Sequence, residues 1–131
     1  MFNFSGRRPI HLGVSNGKLA PCPHSPNCVS SQAPPADRAH FIEPLKFQGD
    51  AKQAIEKLRQ LLLTLPQVSV VEARADYLYA EFRSALMGFV DDVEFWCDGR
   101  VIQVRSASRL GYSDLGANRK RIEMLRAAYS I

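Results

Sequence analysis

The sequence predicts an α+β fold, in which an antiparallel β-sheet carries two helices on one face and follows an irregular Pro-rich N-terminal arm. Three observations predict it: an apolar stripe at helical spacing after Asp50, four β-rich segments within 68–108, and linkers between them too short for crossover helices. A C-terminal helix completes the order β-α-β-β-β-β-α. We expect residues 1–38 to form the arm and residues 39–131 to form one domain.

The arm is predicted to be irregular because six of the eight prolines lie in it, and proline neither donates a ladder hydrogen bond nor continues a helix. We expect the arm to lie across the outside of the domain or to dock on a partner. The first strand is predicted at His40–Gln48, where apolar residues alternate and Pro44 confines the segment to a sheet edge.

Both helices have recognisable starting signals. Asp50 has the side chain of an N-cap, and the apolar stripe that follows it ends before Pro66. The last helix is predicted over Ser113–Ile131, with Ser113 as its cap and Asp114 near its positive end.

Four further strands are predicted from β-branched and aromatic residues in alternating patterns. Asp98-Gly99 is typical of a two-residue hairpin turn and predicts that Asp92 lies opposite Arg105. The strands are expected at Val68–Arg74, Tyr77–Ser84, Val90–Cys97 and Arg100–Ser108.

The alternation divides the sheet into an apolar face, which the helices must cover, and a polar face. The polar face is either solvated and braced by cross-strand ion pairs, or a recognition surface anchored by Tyr79 and Trp96, with Arg83 and Arg105 binding an acidic group. The apolar face holds Val71, Ala73, Leu78, Ala80, Phe82, Val93, Phe95, Cys97, Ile102 and Val104. The polar face holds Glu72, Tyr79, Glu81, Arg83, Asp92, Glu94, Trp96, Gln103 and Arg105.

A dense polar segment joins the last strand to the last helix. Backbone N–H groups at that helix start can bind an anion, together with Ser108, Arg109 and Ser113. Alternatively, Asp114 already neutralises this end and pairs with an arginine. The run Arg119-Lys120-Arg121 predicts a solvated helix face, and a net charge of +4 is too small to indicate nucleic-acid binding.

Cys22, His24 and Cys28 lie together in the proline-rich arm. The two cysteines can form a disulfide or stay reduced, and a zinc site would need further ligands from His11, His40 or Cys97. A thiol nucleophile with His24 is a weak signal, and P-loop, dinucleotide-binding and nucleophile-elbow motifs are absent. The sequence therefore indicates no cofactor or metal and does not favour an enzyme.

The sequence contains four separated motifs, at residues 17–23, 25–31, 89–95 and 104–114 with 118–122. Together they resemble the Domain of Unknown Function family fourteen-ninety-nine. The resemblance implies a shared fold and no mechanism, and some members of that family carry export or thylakoid-lumen signals. The positions that the resemblance singles out are Cys22, Cys28, Arg83, Asp91, Asp92, Arg105, Ser106, Ser108, Arg109, Asp114, Asn118 and Arg119.

We expect a non-catalytic module that binds a protein partner. The alternatives are a small-molecule or anion binder with an Arg-rich site at the start of the last helix, and a hydrolase or thiol-redox enzyme around Cys22, His24 and Cys28. The sequence shows neither a transmembrane segment nor the apolar core of a secretory signal, which predicts the cytoplasm, or the thylakoid lumen or periplasm if a leader has been removed.

Overall fold

The computed structural model describes residues 4–130 and confirms the predicted α+β fold and element order. The described strands form a five-stranded antiparallel sheet in the spatial order β1-β5-β4-β3-β2. The remainder of the predicted arm and domain, residues 1–3 and 131, lies outside the described residues. The elements are β1 (Cys28–Ser30), α1 (Ala51–Leu63), β2 (Val68–Ala73), β3 (Tyr77–Arg83), β4 (Val90–Cys97), β5 (Ile102–Ser108) and α2 (Ala117–Tyr129).

The first strand lies within the predicted arm and not at His40–Gln48. In β1, Val29 lies opposite Ser106 of β5, so part of the arm extends the sheet. The segment His40–Gln48 lies along the sheet edge and contacts it only through isolated β-bridges. In one of them, the backbone groups of Leu45 and Ile102 form two hydrogen bonds with each other. Pro44 lacks an N–H group, and a continuous ladder does not form along this segment.

The predicted N-cap of α1 is confirmed, and the predicted N-cap of α2 is wrong. Asp50 caps α1 as predicted, with its carboxylate accepting a hydrogen bond from the Lys52 N–H. Helix α2 begins after Gly116, which has a left-handed φ of 81°, and Ser113 is therefore not its cap. The N-cap position is Gly116, and the Asp114 carboxylate, two residues earlier, accepts hydrogen bonds from the Gly116 and Asn118 N–H groups.

The predicted β4–β5 register is wrong by two residues. Glu94 lies opposite Arg105, and Asp92 lies opposite Ala107. The turn has four residues, because the Asp98 carboxylate accepts hydrogen bonds from the N–H groups of Arg100 and Val101. A shift of two residues keeps every side chain on its predicted face.

The apolar face of the sheet packs against both helices and forms the main core, with Leu58 of α1 and Leu125 of α2 fully buried against Phe95. One assignment is wrong: a β-bulge at Val71 turns its side chain outward and places its neighbour Val70 against the core. Neither α1 nor α2 is long and apolar enough to cross a membrane.

The centre of the polar face is buried, because the arm crosses it, whereas Glu72 and Arg83 remain exposed. Asp92 is 1% exposed, Glu94 0% and Arg105 3%. The arm reaches these strands through the Gly13 N–H, which donates to Glu94 at 2.6 Å, and through the Pro21 carbonyl, which accepts from Arg105 at 3.2 Å. The interpretation of the polar face as a solvated surface is therefore wrong. The recognition surface that the alternative interpretation proposes is covered by the arm of the chain itself.

Candidate functional site

A buried ionic cluster lies between the arm and the polar face, centred on Arg109. Its Nε and Nη2 donate to the two carboxylate oxygens of Asp92, both at 2.9 Å, and Nη2 also binds Glu81. The Tyr79 hydroxyl donates to Asp92. The hydrogen bonds to Asp92 raise the pKa of Arg109 further and outweigh the opposing effect of burial. Arg109 and Asp92, both predicted binding residues, thus satisfy each other.

A second buried cluster is built around Asn118 at the start of α2. Its amide oxygen accepts hydrogen bonds from the Ser106 hydroxyl at 2.6 Å and from Arg121 at 2.9 Å. Its amide nitrogen donates to the Ser108 hydroxyl, the Asp114 carboxylate and the Asn27 carbonyl. This cluster fixes the β5–α2 connection to the end of the sheet.

The start of α2 is not an open anion site. Burial favours the neutral form of Asp114, but hydrogen bonds from Asn118 and from backbone N–H groups outweigh it and lower the pKa of this carboxyl group. The Asp114 carboxylate is thus an anion already bound at the helix start, as the second of the two sequence interpretations expects. The expected pairing with an arginine is not found among the described residues, because the partners of Asp114 are Asn118 and the Gly116 N–H.

Beside the Asn118 cluster, the 84–89 loop and the 109–116 loop enclose a cleft of about 510 Å³, which we call the end cleft. Phe82, Phe89 and Leu110 line it with apolar surface. The Phe89 ring also stacks on Phe4 of the arm at a centroid distance of 5.0 Å. Asp91 and Arg121 lie in the same cleft and are joined by a 2.8 Å ion pair. An apolar cleft with a few polar groups is typical of a binding site.

Large apolar side chains stand in solvent around the end cleft. Leu86 is 90% exposed and Leu115 is 87% exposed, and Met87 and Tyr112 are also exposed; we call these four residues the apolar rim. Leu115 also has a φ of 54°, a left-handed conformation that is unfavourable for leucine. Exposed apolar groups on a strained backbone are typical of binding surfaces and not of a folding core.

The remaining predicted site residues do not meet at one place. Arg83 lies at the end cleft, with one hydrogen bond, to the Gly88 carbonyl. Trp96 packs beside Tyr77 and Leu19 under the arm. Arg119 donates to the Arg38 carbonyl. Because Arg105 and Arg109 lie beneath the arm, the predicted anion site that joins them to Arg83 does not form.

Sequence reasoning missed the apolar rim. The available signal was the occurrence of Leu86, Met87 and Leu115 in loops rich in small residues, outside any helix or strand pattern. Asn27 was missed as well, because a buried asparagine in a proline-rich loop looks like an ordinary turn residue.

Cys22 and Cys28 form a disulfide, which ties the arm to β1. In this state neither sulfur is a thiolate, so the chemistry considered for a Cys–His24 pair has no nucleophile. The other zinc ligands considered are not assembled either: His40 binds Asp37 and the Ser25 carbonyl, and Cys97 belongs to the main core. Within residues 4–130, no group of three His, Cys, Asp or Glu side chains is placed to hold a metal ion.

These features define a class: a small α+β protein whose antiparallel sheet is covered by two helices on one face and by its own disulfide-tethered arm on the other. Residues 18–129 match the sequence model of a family described as protein of unknown function DUF1499. The match covers most of the chain, and the chain belongs to this family, which confirms the resemblance found in the sequence motifs. No curated protein and no solved structure matches the chain.

Proposed function

We propose that this protein is a non-catalytic module that binds a partner protein through the end cleft and its apolar rim. The observation that carries the proposal is the exposure of large apolar side chains on the two loops that border one cleft. Leu115 lines the cleft and is 87% exposed, and Leu86, in the loop between the lining residues Ser84 and Phe89, is 90% exposed. Burying such groups against a partner is favourable by about 25 cal/mol per Å² of apolar surface.

The arrangement favours a protein partner over an enclosed small ligand. The rim side chains extend beyond the cleft, so an occupant that covers them must be larger than the 510 Å³ cavity. The charges of Asp91 and Arg121 neutralise each other. The other two charged groups of the lining are Asp114, which is bound by Asn118 and by backbone N–H groups, and Arg83, which has no ion pair among the described residues. A partner segment with apolar side chains and a nearby acidic residue would fit this surface. Its apolar side chains would cover the rim and its acidic residue would pair with Arg83, since aromatic and arginine side chains dominate binding energy at interfaces.

The polar groups of the cleft support a binding role without catalysis. Asp91 is paired with Arg121, while Asp114 and Ser108 are both hydrogen-bonded to Asn118. The described lining contains no His, Cys or Lys, and both of its carboxylates are already bound, Asp91 by Arg121 and Asp114 by Asn118. The serine hydroxyls of the lining therefore have no free general base beside them.

Site-specific photo-crosslinking in the native cells tests this proposal. A benzophenone amino acid at Leu86 or at Leu115 should give the same discrete adduct with another protein. The matched control is Lys52, an exposed residue at the opposite end of α1 from the cleft, which should give none. The substitution Arg83→Glu should abolish the adduct at Leu115 without changing the melting temperature. Equal labelling from Lys52, or no adduct from either rim position, would contradict the proposal.

We also propose that the protein works in an oxidising compartment, the periplasm or the thylakoid lumen, although the sequence predicts the cytoplasm. The Cys22–Cys28 disulfide supports this, because reducing compartments keep such pairs as thiols. When native cells are quenched in acid and alkylated, Cys22 and Cys28 should escape labelling until a reductant is added. Cys97, which is a free thiol, should be labelled after denaturation without a reductant and serves as the control. Labelling of all three cysteines without a reductant would place the protein in a reducing compartment.

A further inference from the structure

We propose that a second cavity, which lies between the arm and the polar face, binds a small oxyanion with Arg105 as its anchor. This cavity has a volume of about 490 Å³ and shares only Ser108 with the lining of the end cleft. Arg7, His11 and Pro21 of the arm line one side, and Arg105 and Arg109 of the sheet line the other. The volume is within the range of small-molecule sites.

Arg105 is a buried cation with few partners. Only 3% of it is exposed, and its guanidinium makes one hydrogen bond among the described residues, from Nη2 to the Pro21 carbonyl. Its Nε–H group is buried, and no acceptor for it lies in the part of the chain that the structure describes. Burial lowers the pKa of Arg105, although the charges of Glu94 and Asp92 oppose this effect. A buried guanidinium has five donors, and an oxyanion is the acceptor that matches its geometry.

The neighbouring carboxylates do not supply this acceptor. Both oxygens of Asp92 are held by Arg109, and one also accepts from the Tyr79 hydroxyl. Glu94 lies opposite Arg105 in the sheet, but its Oε2 accepts from Tyr77 and from the arm. Within residues 4–130, the Glu94 Oε1 and the Arg105 Nε both lack hydrogen-bond partners, so the two side chains do not satisfy each other.

The rim of this cavity adds positive charge. Arg7 is exposed and forms no ion pair with the described residues, and His11 is also exposed at the same cavity. Because the charge of Asp92 is compensated by Arg109, an anion that enters this cavity meets the cations Arg7 and Arg105. Glu94, which lies opposite Arg105 in the sheet, does not belong to the cavity lining. Phosphate and small carboxylates share the chemistry that these groups recognise.

Titration of the purified protein with inorganic phosphate, and separately with acetate, at constant ionic strength in chloride tests the proposal. NMR of the arginine side chains should show a saturable shift of the Arg105 Nε–Hε signal with at least one of the two anions, and the stronger one identifies the ligand class. Arg7→Gln should weaken the apparent affinity at least threefold. Arg100→Gln, which removes an equally exposed arginine at the far hairpin, should leave it unchanged.

The signal of Arg105 can be assigned through bonds to its backbone, so the test does not depend on a folded Arg105 variant. The site would be overturned if chloride alone shifts the Arg105 Nε–Hε signal as much as phosphate or acetate does, or if the shift does not saturate. Identical affinities of the wild type and Arg7→Gln for the anion would also overturn it.

Discussion

Replacing Arg109 with methionine is expected to lower the free energy of unfolding by about 3–5 kcal/mol. The substitution leaves Asp92, which is 1% exposed, and Glu81 beneath the arm without the cation that binds both. Methionine matches the length of the arginine stem, so the loss reports the missing charge and hydrogen bonds more than a cavity. Urea unfolding at pH 7 measures it.

Arg8→Gln is the matched control, because Arg8 binds the same Glu81 carboxylate from the exposed side of the arm. Its loss should be much smaller, since solvent screens an exposed ion pair and an unpaired surface charge stays hydrated. If the Arg109 and Arg8 variants are equally stable, the buried cluster does not stabilise the fold in the way the structure indicates.

The same cluster should make stability depend on acid pH. Burial raises the pKa of Glu81, but hydrogen bonds from Arg8, Arg109 and Tyr79 outweigh it and lower the pKa to about 2 from the usual 4.5. A depressed pKa stabilises the folded state fully above pH 4.5, and this contribution is lost as the pH falls toward 2. The unfolding free energy measured between pH 6 and pH 2 should fall less steeply in Arg109→Met than in the wild type.

Replacing Asn118 with alanine is expected to cost about 2–4 kcal/mol, because it removes the partner of several buried polar groups at once. Asn118 is fully buried, and the Ser106 hydroxyl and the Asn27 carbonyl lose their hydrogen bonds to it. Thermal and urea unfolding measure the loss. Because the Asn118 cluster fixes the 109–116 loop, the variant should also lose the photo-crosslink from Leu115.

Arg119→Ala is the control for the Asn118 variant. Arg119 is the next residue of α2 and makes an exposed hydrogen bond to the Arg38 carbonyl. Its removal should change stability by less than about 0.5 kcal/mol, as is usual for surface substitutions. If Asn118→Ala leaves the free energy of unfolding nearly unchanged, the Asn118 cluster does not stabilise the conformation of the 109–116 loop.

Local patterns were sufficient for the elements that carry a periodic signal. The leucine stripe of α1 and the alternation along β3 and β4 depend only on helix and strand geometry, so Phe82, Phe95 and Val104 lie in the core as expected. The assignment of side chains to the two sheet faces is also correct for β4 and β5 although their predicted register is wrong. A shift of two residues preserves the direction of each side chain. The bulge at Val71 inserts one residue and breaks that rule locally.

Non-periodic segments could not be placed in this way. Residues 8–21 have no repeat that predicts a path, and their position across the polar face depends on contacts such as that of Gly13 with Glu94, 81 residues apart. The same applies to the end cleft, which is formed by two loops that only the folded sheet brings together.

The sequence by itself determined the class of fold, the order of its elements and the division of the sheet into two faces, because these follow from local side-chain periodicity. Only the tertiary structure decided that the arm buries the polar face, that Arg109 pairs with Asp92, and that apolar loop residues surround one cleft. These arrangements join groups distant in the chain, and the balance of desolvation and pairing that selects them exists only in the assembled fold.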